Sequence, residues 1–341
     1  MDFDLLKRVC NTPGVSGFEV PAQDVVAEVF GGCCDEVTRD RMGNVIGLKK
    51  ATHPPAGGKR PFRALIAAHC DEIGAMVKHI DDKGFMRFIQ LGGLNPLCII
   101  SQRVTIHGKQ KVRGVIVPPG GKGTEKPTLE DLRIDTGLSG DEVRELVDIG
   151  DVVSFDAEVE QLNGKVYVGR NFDDRLGTYC MLQAMGRLGD TSVDSYAVST
   201  VQEEVGCRGI GPASFAIEPD VGLAIDGSLC WGANHDEHRA NTALGGGAGI
   251  YLIDNITIGS PKLLDFLYDL CKTKGITFQK NLGGGTDAGN MQRSRGGVLA
   301  TTVGAPTRYM HSTVQLCHDD DLEGIIALLA AFLENAHELL A

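Results

Sequence analysis

ALIAAHCDEIGAMV, residues Ala64 to Val77, is the stretch whose reading decides this fold. A loop rich in Pro and Gly (His53 to Lys59) precedes it, and the apolar run Ala64 to Ala68 reads as a short buried strand that ends at His69. From about residue 74 the texture changes. Short alternating runs, Arg103 to His107, Lys111 to Val117 and Val152 to Val159, are separated by glycine turns, as in a small β-rich module. The quoted stretch therefore straddles a boundary between a buried strand and an inserted β block.

Outward from that boundary, Val25, Val26, Val29 and Phe30 repeat at helical spacing after Pro21, and Gly31-Gly32 stops them, which predicts a helix near 21–30. Inside the insertion, Ser139 followed three residues on by Glu142 is a capping pair for a short helix to Leu146. After Gly164 strands and helices alternate. Arg175–Leu188, Pro261–Lys274 and Leu322–Leu340 read as helices, and Tyr196–Gln202, Val221–Ile225 and Val298–Val303 as strands. The last helix would bury Leu322, Ile325, Ile326, Leu329, Leu333 and Ala336 on one face. The pattern predicts an α/β fold, a mixed sheet covered on both faces, formed by residues 1–73 and 163–341 and interrupted by a β-rich domain at 74–162.

The chain has 341 residues, enough to bury a sizeable core, and 45 glycines with 6% aromatic residues point to many tight loops. With 45 acidic against 33 basic side chains, the net charge is −12 and no Lys/Arg block stands out, so nucleic acid and anionic membranes are poor partners. No apolar run approaches the roughly 18–20 residues of a membrane span. Ten cysteines without a C-x-x-C pair, and an opening Met1-Asp2-Phe3-Asp4 without a leader pattern, imply free thiols in a reducing cytoplasm.

Chemistry concentrates where apolar runs end: AHCDE (Ala68–Glu72), NFDD (Asn171–Asp174), QEEVG (Gln202–Gly206), AID (Ala224–Asp226) and RYMHS (Arg308–Ser312). In open α/β sheets these ends converge, which would gather His69, Asp71, Asp173, Asp174, Glu203, Glu204, Asp226 and His311. Imidazoles with carboxylates suit zinc, cobalt or manganese. Residues i and i+2 share a face of an extended strand, so the Asp71 carboxylate would accept the second ring N–H of His69. Glu203 and Glu204 are adjacent and would diverge in a regular strand; a break before Gly206 would let both reach one site. Each island alone has an ordinary explanation as a buried hydrogen-bonded group, a helix cap or a solvated face. Five together do not.

On the segments AHCDEIGAMV (Ala68–Val77), GRNFDDRLG (Gly169–Gly177), VQEEVGCRG (Val201–Gly209), GGGTDAGNMQ (Gly283–Gln292) and RYMHS, the chain resembles the M42 metallo-aminopeptidases over nearly its whole length. The resemblance implies a catalytic domain interrupted by a β-barrel dimerisation domain, short peptides as substrates, and dimers that assemble into a hollow dodecamer. It implies two divalent ions, zinc or cobalt first and manganese next. His69 and Asp226 would hold one and Glu204 and His311 the other, with Asp173 between them, Glu203 as general base and Asp71 orienting His69. Three positions depart from the family pattern: Cys70 stands where methionine is usual, and Thr313 and Gln315 replace Pro and Glu. None is a presumed ligand, and Cys70 should point into the core.

Two other readings compete. A glycoside hydrolase would use two carboxylates without metal, but a single tryptophan, Trp231, offers little stacking surface for sugars. A non-catalytic assembly protein with a vestigial site should lack ligands, and none is missing. His235-Asp236-Glu237-His238 has ligand-like spacing but reads as a loop near the pocket; Gly283–Gly285 with Thr286-Asp287 could cradle a substrate backbone or form a plain turn. Gly120–Gly123 lacks the ending of a phosphate loop.

Overall fold

In the computed structural model the described residues are all except 55–59, 119, 121–125, 237 and 341. Most of the His53–Lys59 loop, most of the Gly120–Gly123 run and Glu237 lie outside them.

Ala64 to Ala68 does form a strand, extended to Phe62–His69, and the alternation of its side chains explains why it sits in the middle of a sheet. Ala64, Ile66 and Ala68 join one apolar cluster, with the helices Phe3–Asn11, Val20–Gly31, Phe172–Arg187, Pro261–Lys274 and Asp319–Asn335. Leu65 and Ala67 join another on the opposite face, under the helices Ile210–Ile217 and Ala288–Gln292. Both faces are covered, as a strand apolar at every position requires.

Across the eight-stranded mixed sheet the order is Glu36–Arg39, Val45–Lys49, Val193–Thr200, Phe62–His69, Val221–Leu229, Leu299–Thr307, Ala248–Ile253 and Phe278–Leu282. The four central strands are mutually parallel, so their C-terminal ends share one edge. Register aligns His69 with Thr200, and Ala68 with Ile225 next to Asp226.

The inserted block closes into a six-stranded barrel, in the order Gly74–Ile80, Met86–Leu91, Arg133–Asp135, Lys111–Val117, Arg103–His107, Val152–Phe155. Its interior is Val77, Met86, Ile106, Ile116, Ile134 and their neighbours, a cluster separate from the two that flank the large sheet. The predicted capping box is present, with Ser139 and Glu142 exchanging hydrogen bonds at the start of helix Gly140–Leu146. Beyond the barrel, Glu160–Asn163 pairs with Val166–Gly169, which in turn pairs with Gln315–His318, so Glu160 and Gln161 pair away from the barrel.

Several boundaries differ from expectation, three of them for evident local reasons. The strand drawn to Gln202 stops at Thr200, since Gln202 takes φ +56° and the chain leaves the sheet there. The run to Val159 pairs only to Phe155, although Val159 is buried. The final helix starts earlier, at Asp319, where the His318 ring accepts from the Asp320 N–H, and tightens to a 3-10 turn at Ala336–Leu340. Its six predicted core residues are all buried. Among the described residues no helix is long and apolar enough to cross a membrane. All ten cysteines are free, and Cys70 is a core thiol.

Candidate active site

Every predicted site residue arrives at the shared edge of the parallel strands. His69 closes its strand and is buried; its Nε2 lies 3.3 Å from Asp173 Oδ1. Its Nδ1 lies 3.1 Å from the Asp71 backbone carbonyl, which only accepts, so Nδ1 carries a proton and Nε2 is the ring nitrogen that faces Asp173 and the cavity. The expected partner was the Asp71 carboxylate. That group stays 3.6 Å from Nδ1, beyond hydrogen-bond range, because the backbone turns after His69 and brings the carbonyl to the ring instead. The carboxylate does other work: it accepts from the backbone N–H of Glu203 (2.9 Å) and of Glu204 (3.2 Å) and from the Ser16 hydroxyl (2.6 Å).

Those bonds, with Gln202 at φ +56° and Gly206 at φ +123°, make the turn that aims both glutamates inward, as the break before Gly206 suggested. Asp173 enters at the head of helix Phe172–Arg187, and its N–H donates to Gln315 Oε1 at 2.9 Å. The departure at Gln315 therefore sits directly behind a site residue. Asp226 comes from within strand Val221–Leu229. His311 follows strand Leu299–Thr307; Nε2 is 3.3 Å from Asp173 Oδ2 and 3.5 Å from Glu204 Oε1, and Nδ1 donates to the Gly93 carbonyl at 3.0 Å. Gly93 belongs to the loop after barrel strand Met86–Leu91, so the insertion orients one of the imidazoles.

The electrostatics are those of too many buried acids. Burial pushes the Glu204 carboxyl up to about 8, and the nearby Asp173 adds to the rise. Asp226 is raised by burial and by Asp173 and Asp174; Glu203 is raised by burial, with His69 opposing. Burial would raise Asp173 too, but hydrogen bonds from His311 and His69 overcome it and hold this carboxyl below its ordinary range. Asp173 correspondingly lifts His311 to about 9 against the effect of burial. Among the described residues no Lys or Arg lines the cavity, about 390 Å³, into which these groups open.

Donor atoms of His69, Asp173 and Asp226 lie within 4.8 Å of one another, and so do those of Asp173, Glu204 and His311. The two groups share Asp173 alone. Two imidazole nitrogens and several carboxylates, with no described Lys or Arg on the cavity wall, form a donor set of the kind that divalent metal ions take. A third group, Glu203, Cys207 and Asp287, meets the same distance criterion. Here the Cys207 thiol donates to Glu203 Oε1 at 3.0 Å, and Asp287, raised by burial to about 7, accepts from the Thr200 hydroxyl at 2.5 Å.

Cys207, Asp287, Gln315 and Gly93 were not singled out as site residues. Asp287 had been read only with the Gly283–Gly285 turn, whose glycines and Thr286 line the cavity. Asp174 reaches the same region, buried with Oδ2 unpartnered. His235 and Asp236 make local turn bonds, and among the described residues that segment joins no donor group.

The chain matches, over residues 43–328, the family described as M42 glutamyl aminopeptidase. It is 34% identical to the lysyl aminopeptidase of Pyrococcus furiosus, across 98% of this chain and 97% of that one. Aminopeptidase APDkam598 from the archaeon Desulfurococcus kamchatkensis superposes with a TM-score of 0.92 at 35% identity, covering 97% of this chain and 94% of that one. Pyrococcus horikoshii TET1 peptidase, described as assembling into a tetrahedron or a large octahedral shell, gives 0.85 at 29% identity, with 97% and 98% covered.

Proposed function

Because the chain belongs to the M42 glutamyl aminopeptidase family and is therefore a peptide hydrolase, we propose that it is a dinuclear metal aminopeptidase that removes N-terminal residues from short peptides. The observation that carries this reading is the pair of donor groups joined at Asp173. His69, Asp173 and Asp226 would hold one divalent ion and Asp173, Glu204 and His311 the other; zinc or cobalt suits these donors best, with manganese possible. Such ions, when bound, polarise a peptide carbonyl and lower the pKa of water.

The protein's own groups do the rest. Glu203 takes the proton of the attacking water and returns it to the departing amine, and burial, which raises its affinity for a proton, suits it to that exchange. Asp71 holds the turn that carries Glu203 and Glu204. Its carbonyl and that of Gly93 set the tautomers of His69 and His311, and Gln315 fixes the backbone of Asp173. The cavity's acids also offer counter-charge to a peptide's free N-terminal ammonium, which favours cleavage at the first residue.

The same reading takes 74–162 as a dimerisation domain and the cytoplasm as the site of action, with dimers building a dodecamer. Exposed Ile89, Leu97, Val115 and Ile149 on the insertion supply apolar surface for such contacts. Replacing Glu203 with Gln is the test of the base. Turnover should fall by a factor on the order of 10² to 10⁴ while metal content is unchanged. Undiminished turnover would remove Glu203 from that role, and peptide cleavage unaffected by a chelator would contradict the metal mechanism.

A further inference from the structure

Next to the acids, the cavity of about 390 Å³ has a second character. Apart from Gly206, Cys207, Gly227 and Thr286, its remaining walls are Leu229, Tyr251, Ile256 and Met310, with the backbone of Gly283–Gly285 between them. The Tyr251 hydroxyl donates to the Gly227 carbonyl at 2.5 Å, which leaves the ring edge beside Gly284. Met310 Sδ lies so close over Gly227 that a Cβ there would stand 2.6 Å from it. These walls offer carbon and sulfur to a side chain, and no free charge.

Of the described charged groups nearby, Arg208 follows the lining residues Gly206 and Cys207 but is exposed, and the others are already engaged. Arg308 donates to the Trp231 carbonyl at 2.9 Å and stacks over that indole. Arg293 donates to the Gly289 carbonyl and to Asn290. Asp254 is buried and accepts from the N–H groups of Ile256 and Thr257 and from the Thr286 hydroxyl. Among the described residues a glutamate side chain in this space would find no cation on the cavity wall, and a lysine would find, besides the acids of the proposed metal sites and base, only Asp254 and Asp287, both buried and hydrogen-bonded. An ion moved out of water without a partner is strongly disfavoured, whereas an aliphatic chain gains by burial.

We propose that this chain selects an uncharged apolar N-terminal residue, leucine or methionine, over an acidic or a basic one. The preference rests on the aminopeptidase reading and differs both from the glutamyl description of the family and from the lysyl name of the Pyrococcus furiosus relative.

The test compares Leu, Met, Glu and Lys p-nitroanilides on metal-loaded enzyme. Leu and Met should exceed Glu and Lys in kcat/KM on the order of tenfold or more. In Glu203→Gln, titration with the tripeptides X-Gly-Gly should give the same order in Kd. Ile256→Arg, at a 41% exposed position that tolerates a long side chain, should shift the Glu:Leu ratio toward Glu on the order of tenfold. Glu or Lys equal to or better than Leu would overturn the preference, as would an unchanged ratio in Ile256→Arg. Failure to cleave any of the four anilides or short peptides would overturn the aminopeptidase reading itself, and the preference with it.

Discussion

The barrel and the strand-end cluster bury their side chains under opposite rules. Inside the barrel Met86, Val104, Ile106 and Ile134 are fully buried and apolar, so this region is complete without any added group. At the strand ends His69, Asp173 and Asp226 are also buried, yet no described Lys or Arg on the cavity wall balances their charges. Burial of the first kind stabilises; burial of the second costs free energy until cations arrive. The contrast explains how one chain carries an apolar scaffold beside a site that, on the proposed reading, metal completes. Among the described residues, a hydrogen bond from His311 Nδ1 to the Gly93 carbonyl joins the two regions.

The largest effect should come from the side that needs nothing added. Ile106→Ala empties a fully buried barrel position and should cost about 2–5 kcal/mol in denaturant unfolding of the metal-saturated protein. Metal affinity should not change; if it falls in step with stability, the two regions are not separate in this sense. Gly93→Ala probes the joint. A Cβ there would stand 2.8 Å from His311 Nδ1, so the ring must shift, and activity or metal affinity should drop on the order of 10- to 100-fold with little change in unfolding. An unaffected enzyme would mean that the barrel loop does not orient His311.

A smaller effect separates the regions by pH. In the metal-free protein, Glu204 rises from an ordinary 4.5 to about 8 and Asp287 from 3.8 to about 7. Their stabilising contribution is complete below about pH 4 and lost as pH climbs through those raised values. His311, lifted from 6.5 to about 9, acts with the same sign: its contribution is present below 6.5 and lost through 9. Metals compete with these protons. The Tm difference between loaded and chelated protein should therefore widen from pH 5 to pH 8.5, and a constant or shrinking gap would contradict the charge argument.

How much of this was legible in the sequence follows from the range of each interaction. Ala64–Ala68 and the face of the last helix were readable because burial repeats with the period of the element, and the Ser139–Glu142 cap because it spans three residues. Convergence of the five islands was readable because parallel strands bring their ends to one edge. The Gly93–His311 bond joins residues 218 apart and the Asp173–Gln315 bond residues 142 apart, and neither leaves a local pattern. Asp71 shows a different limit. Spacing put its carboxylate on the face shared with His69, but a single backbone turn gave that contact to the carbonyl and freed the carboxylate to hold the two glutamates.

Anomalous scattering at the zinc edge, from crystals grown with zinc, addresses the arrangement most directly. Two peaks are predicted on either side of Asp173, one against His69 and Asp226 and the other against Glu204 and His311. A single peak, or zinc bound away from Asp173, would contradict it.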